Sequence, residues 1–344
     1  MGVGVVEPFD QYPDYNTTDG LCTTSTWISE SLNQMFVLTT GLNGSGKAMR
    51  VFGTNGSAIR QRILFPATTQ ISGHFGFMYW SLSSIAAEIL RFEDTSQNRQ
   101  FGFAIGPNGY VTLLGENNAV LATGAFPLAM DTVYRFTIKA DIAAGNCVVK
   151  VNGLPFISVT GVDLQDADAT TMAAFATCTH VGTLGNAYGY DIDDLYVLCD
   201  EYIDVPELEL TLYGPTADTA DESWTPSSGV DSYALVDELP ANTTDYVSSS
   251  TVGHKNIYDF ANESRTAESI LSVSLLMAAK KDESATRTLK QILKAGGVEY
   301  NGADKNQSTT WTFQKDHWRQ NPNTVAAWAP GEINALQAGH AVVL

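Results

Sequence analysis

From Phe75 onward the chain is a succession of short apolar runs cut by turn residues, and this rhythm confines it to strand architectures. FGFMYWSL, IAAEILRFED, FGFAIG, YVTLLG and AVLATGAF follow at short intervals, separated by Gly, Asn and Pro. VYRFTIKADIA and NCVVKVNGLPFISV come next, split by A-A-G-N. Tyr134, Phe136 and Ile138 alternate with Arg135, Thr137 and Lys139, the period of a half-buried strand. The two runs predict an antiparallel hairpin, with Asn152-Gly153 as a second tight turn. So many short strands in series predict a sandwich rather than alternating strands and helices.

After DDLYVLCD the pattern changes. Val205-Pro206-Glu207 interrupts it, ELELTLYG offers one alternating strand, and 214–256 is polar and turn-rich. Strand signal returns in SILSVSLLMAAK and in ATRTLKQILKAGG. ESATRTLKQILK also has helical spacing at Leu289, Ile292 and Leu293, but its Thr alternation and trailing Gly-Gly favour a strand. PGEINALQAG, with Pro first and Gly last, predicts a helix starting at Pro330. The expected organisation is all-β, with a sandwich over 1–203 and a smaller β-rich assembly or docking domain over 204–344. No heptad or internal repeat is present, which excludes a coiled-coil or collagen-like shaft.

The charge balance of 38 acidic against 19 basic residues gives −19 and argues against a nucleic-acid partner, which needs a basic face. The N-terminal MGVGVVEPFDQYPDY has neither the basic nor the apolar region of a secretory signal, so cytosolic synthesis is expected. No apolar run approaches the ~18 residues of a membrane span, so no membrane insertion is expected. Cys22, Cys147, Cys178 and Cys199 lie far apart without a Cys-x-x-Cys, and Cys147 and Cys199 read as buried free thiols.

Among chemistry-bearing residues, GLNGSGKA over 41–48 imitates a phosphate-binding loop. Ala48 stands where a Ser or Thr must hold magnesium, and no helix pattern follows, so a Gly-rich connection is expected. Asp191 and Asp193 in YDIDDLYVL share one face of a strand and are the candidate ligands for calcium. The competing reading has them and Asp194 accept hydrogen bonds from nearby backbone amides. His74, His180, His254, His317 and His340 are scattered and show no triad-type pairing in sequence. Trp311, Phe313, Trp318 and Trp328 gather near the C-terminus. Trp311, Trp318 and Trp328 read as core, as subunit interface or as a stacking platform for glycan.

Several segments are specific enough to compare with a known family. FDQYPDY, GKAMRVFG, the hairpin ending in VKVNG and then DIDDLYVLCD occur in that order. This half resembles the first part of a family of tailed-bacteriophage virion structural proteins that join a concanavalin A-like (laminin-G-like) sandwich to a second β-rich domain. LYGPTADTADESWTPSSGVDSYALVDELPANTTDYVSSSTVGHKNIYDF resembles the family's continuation, and NPNTVAAWAPGEINALQAG its C-terminus. The resemblance implies a concanavalin A-like or jelly-roll sandwich in a non-catalytic, tail-associated or surface-exposed component of a phage particle. Its expected partners are copies of itself, in a trimer or ring, and other tail or capsid proteins of the virion. The alternatives are a capsid decoration protein and a lectin-like module that attaches to host surface glycan. Such a fold also invites glycoside hydrolysis, which needs two carboxyl groups flanking the scissile bond. Glu88 in AAEILRFED is followed by Asp94, but the string E-x-D-x-x-E used by glucanases of this fold is absent. The chain is therefore expected not to be an enzyme.

Overall fold

The structure is a computed structural model and describes residues 2–7, 27–29, 35–37, 41–42, 47–53, 59–81, 86–165, 169–179, 188–229, 231–238, 241–263 and 269–344. The phosphate-loop mimic at 43–46, FDQYPDY, His180 and Cys22 lie outside the described residues, as does the Cys178 side chain. The described chain divides into two compact units, one through Thr211 and one from Leu212. Both are built from antiparallel strands, and the fold is all-β.

In the first unit one sheet runs β13 (Leu154–Val159), β12 (Asn146–Val151), β11 (Tyr134–Asp141), β6 (Gln70–Ser81), β15 (Tyr188–Cys199), β4 (Met49–Gly53) and β3 (Met35–Val37). The strand β1 (Gly2–Glu7) pairs with the C-terminal half of β15. The other sheet runs β10 (Val120–Thr123), β9 (Val111–Leu114), β8 (Arg99–Ile105), β7 (Ala87–Glu93), β14 (Met172–Thr179), β5 (Ile59–Thr68) and β2 (Trp27–Ser29). Alternation decides what lies between the sheets. Phe136 and Ile138 are buried beside Phe75 and Phe77, while Arg135 and Lys139 take the opposite face, as the period of two predicts. Phe75 stacks on Phe136 at 5.1 Å and meets Phe175 of the facing sheet at 6.2 Å. Phe175 in turn meets Phe92, which stacks on Phe101 at 4.8 Å. The Tyr190 hydroxyl crosses the sandwich to donate to the Ile89 carbonyl.

Asn152 and Gly153 have φ of 49° and 73°, the two left-handed residues of a tight hairpin, and Val151 pairs with Leu154 across it. Residues 200–211 form no ladder, although ELELTLYG alternates like a strand. They cross the outer face of the first sheet instead. The Ile203 N–H donates to Ser72 Oγ at 2.8 Å, and Ser72 Oγ donates to the Glu201 carbonyl at 3.0 Å. Lys139 and Lys150 converge on Asp204 at 2.6 and 3.0 Å. Residues 204–211 therefore pack with the sandwich, whereas the sequence placed them in the second domain.

The second unit holds a sheet ordered β16 (Pro215–Glu222), β19 (Lys255–Phe260), β25 (Gln337–Val342), β21 (Thr288–Ala295) and β22 (Val298–Asn301), with β23 (Lys305–Asn306) also on β21. Two smaller pairs are β17 (Thr225–Pro226) with β18 (Val247–Ser248), and β20 (Val273–Ala279) with β24 (Thr312–Trp318). β21 is the strand that its Thr alternation predicted. The helix expected at Pro330 lasts one turn, α1 (Pro330–Ile333). Its downstream half is taken by β25, which is hydrogen-bonded on both edges. β16 forms an edge strand where the polar sequence PTADTADE predicts turn. Among the described residues no helix is long and apolar enough to cross a membrane.

Candidate functional site

Asp191, Asp193 and Asp194 are all buried at the outer face of the first sheet, and each holds protein donors. Asp191 receives Arg50 Nε at 2.8 Å and Nη2 at 3.0 Å, and the Trp80 indole N–H at 3.3 Å. Asp193 accepts the Leu42 N–H through Oδ2 and the Asp194 N–H through Oδ1, both at 2.8 Å. Asp194, at φ 49°, turns its carboxylate toward Arg135. The lone pairs a calcium ion would need are directed at a guanidinium and at amides, and no metal-ligating cluster occurs among the described residues.

Trp318 and Trp328 share one core, and Trp311 belongs neither to that cluster nor to the one around Leu289. Trp328 is 3% exposed in a core with Leu293 and Ala295, and its Nε1 donates to the Trp318 carbonyl at 2.8 Å. Trp318 packs partly buried on the same core. Trp311 is half-buried, with Lys280 Nζ 5.0 Å from its ring centre and Tyr246 edge-on at 6.5 Å. Two histidines do have serine partners: Ser274 Oγ lies 2.7 Å from His317 Nδ1, and Ser249 Oγ lies 3.0 Å from His254 Nδ1. In a catalytic triad the serine meets Nε2 and the acid meets Nδ1, so neither pair has that arrangement. Cys147 and Cys199 are free and buried, and burial pushes both thiols up to about 12.

Among the described residues a group of five charged side chains joined by ion pairs lies on the outer face of the second sheet. One row runs Arg62, Ala176, Arg91, Gly102 and Leu114 across five strands, on the side opposite the Phe175 and Phe92 rings. Two bulges add to it. In β7 the register shifts between Glu88 and Leu90, so Ile89 points inward and Glu88 outward beside Ala104. In β8 the skipped residue is Gln100, which brings Arg99 opposite Glu93. Arg91 Nε then reaches Glu93 at 2.5 Å and its Nη1 reaches Glu88 at 3.6 Å. Arg62 meets Glu93 at 3.6 Å, and Arg99 meets Glu88 at 3.1 Å. Arg99 also donates to the Gly115 carbonyl and to Asn118 Oδ1.

Gly102 is part of this construction. A Cβ there would lie 2.6 Å from Glu88 Oε1 and 3.0 Å from Arg91 Cβ, so the Glu88 carboxylate lies flat on the strand because the side chain beneath it is missing. The floor is Gly102, Ala104, Ala174 and Ala176, and over it stand three guanidinium groups and two carboxylates. Glu93 belongs to no motif in the sequence. Its spacing of five residues from Glu88 was the available signal, and the bulge at Ile89 is what places both on one face.

No family model matches the chain, and no curated protein matches it. Solved structures do. An alginate lyase, Aly36B, in complex with alginate trisaccharide shares 9% identity over 58% of this chain and 100% of its own, at a TM-score of 0.44. A sialidase shares 12% identity over 56% of this chain, at 0.42, and a cellulose-induced protein, Cip1, shares 12% over 56% of this chain and 96% of its own, at 0.40. The chain spans 19% of that sialidase's length. The expectation of a non-catalytic phage-particle component that is not an enzyme is corrected by this finding, since these neighbours are named as a lyase, a sialidase and a cellulose-induced protein. At such identities and TM-scores the likeness concerns strand arrangement, and the chemistry has to be argued from the side chains.

Proposed function

We propose that this protein acts on carbohydrate, with a glycan chain lying along the outer face of the second sheet of the sandwich. The observation that carries this reading is Arg91 held between Glu88 and Glu93 on a floor of Gly and Ala, with Arg62 and Arg99 on either side. Arg62 and Arg91 stand two strands apart, about 10 Å at the backbone, a distance suited to an extended ligand rather than a single ion. Guanidinium groups present planar forks of donors that match a sugar carboxylate or a pair of hydroxyls. Glu88, partly exposed, can accept hydrogen bonds from hydroxyls, while Glu93, 0% exposed, holds Arg62 and Arg91 in place. Among the described side chains of this face three guanidinium groups stand with two carboxylates, a set that favours sugars carrying carboxylates.

Titration calorimetry with uronate-containing and neutral oligosaccharides tests the reading. Binding is expected for the carboxylated series, with a loss of at least tenfold in Arg91→Ala and in Arg99→Gln. Release of new reducing or unsaturated ends from the bound polysaccharide then decides whether the face cleaves as well as binds. Affinity that ignores both substitutions, or no binding to either series, overturns the proposal.

A further inference from the structure

The inner face of the second unit's main sheet has two separate apolar clusters. Ala279, Leu289 and Val342 form one, and Leu293, Ala295 and Trp328 form the other. Leu289 and Leu293 lie on the same face of β21, and between them on that face stands Gln291. Gln291 pairs across the sheet with His340, which pairs with Asn256, so one polar row divides the core. Asn256 is bonded at both its amide oxygen and its amide nitrogen. Its Oδ1 accepts the Ser223 and Trp224 N–H groups, both at 2.8 Å, and its Nδ2 donates to the Tyr258 hydroxyl at 3.2 Å.

The other two members of the row are not satisfied. Gln291 is 2% exposed and its Oε1 has no hydrogen-bond partner. His340 Nε2 is likewise buried without one, and the ring is walled by Trp224, edge-on at 4.4 Å, and by Tyr258 at 5.9 Å. Two neighbouring unpartnered polar atoms in a protein interior are the ordinary setting of a buried water, which needs two to four polar partners.

We propose that a water molecule is bound in the core of the second unit, bridging Gln291 Oε1 and His340 Nε2. The water donates one hydrogen to the amide oxygen. Toward the imidazole it donates when the ring proton is on Nδ1 and accepts when the proton is on Nε2, so both tautomers are served. A metal ion suits the site poorly, because Asn256 Oδ1 is already taken by two amide donors.

A crystal structure of the whole chain at a resolution that orders solvent tests this directly. A density peak within hydrogen-bond distance of both atoms is the expected result. A dry gap, or a direct Nε2–H to Oε1 bond reached by side-chain rotation, overturns it. In solution, a water cross-relaxation signal at the His340 ring is expected in the unaltered protein, and it should disappear in Gln291→Met. A signal that is absent from the unaltered protein counts against the site, whether or not the variant folds.

Discussion

Asp194 joins the sandwich to the segment that leaves it: Oδ2 takes Arg135 Nη1 at 2.7 Å, and Oδ1 accepts the Leu210 N–H at 3.0 Å. The carboxylate is almost wholly buried, so deleting it leaves a guanidinium and an amide without their acceptor. Asp194→Ala should cost about 3 kcal/mol in urea unfolding of the first unit, as expected for a buried pair broken on one side. The same variant should also speed proteolysis within 203–211. Unchanged cleavage in that segment would show that Asp194 does not hold it.

The floor of the charged face supplies the next expectation. Gly102→Ala puts a methyl group 2.6 Å from Glu88 Oε1, so the carboxylate has to shift from its place against Arg91 and Arg99. Glycan affinity should fall at least tenfold while the far-ultraviolet circular dichroism keeps its strand signature. If affinity survives the substitution, Glu88 is not part of the binding surface.

Acid should weaken the sandwich through His74. This residue is 0% exposed beneath the segment that crosses the first sheet, with the Asp194 carbonyl 3.2 Å from Nδ1. Burial lowers its pKa to about 4, with the Arg135 charge acting in the same direction and Asp194 against both. The folded value lies below the unfolded value near 6.5, so the unfolded chain binds the extra proton between those limits. The stability contributed by the neutral ring is complete above pH 6.5 and is lost as the pH falls toward 4, about 3 kcal/mol in all. Unfolding free energies at pH 7 and 4.5 should differ less in His74→Leu than in the parent, and equal differences would exclude this histidine.

The two described thiols should be inert. With both pushed up to about 12 by burial, Cys147 and Cys199 hold almost no thiolate at pH 8. Iodoacetamide followed by peptide mass spectrometry should find both unmodified in the native protein and both alkylated in denaturant. Native alkylation of either would mean that its strand opens readily.

Chelation should leave melting unchanged. Asp191 is satisfied by Arg50 and Trp80, and Asp193 by two amides, so a ligand bound only to the folded state is not needed to hold this strand. Asp191→Ala, by contrast, should lower the melting temperature by several degrees, because Arg50 loses both of its bonds to the carboxylate. A fall in melting temperature on adding chelator would restore the calcium reading.

Much of the architecture could be read from local pattern. The alternation in VYRFTIKAD placed Phe136 and Ile138 inside and Arg135 and Lys139 outside, and Asn152-Gly153 marked its turn. Pattern failed where a strand is polar or a segment alternates without pairing. PTADTADE pairs with β19 through its backbone, which needs no apolar side chain, whereas ELELTLYG finds its hydrogen-bond partner in Asp194 rather than in a neighbouring strand.

An all-β chain with Cys147 and Cys199 buried was legible from the residues alone, because alternation and turn chemistry are properties of a few consecutive residues. Where the charges go depends on long-range pairing. Asp191 finds Arg50 141 positions away, a pairing that no local spacing encodes. On the opposite sheet, single extra residues at Ile89 and Gln100 reverse which side Glu88 and Arg99 face. A strand's side chains alternate with a period of two, so one inserted residue moves everything beyond it to the other surface, and the partner strand decides where that residue bulges.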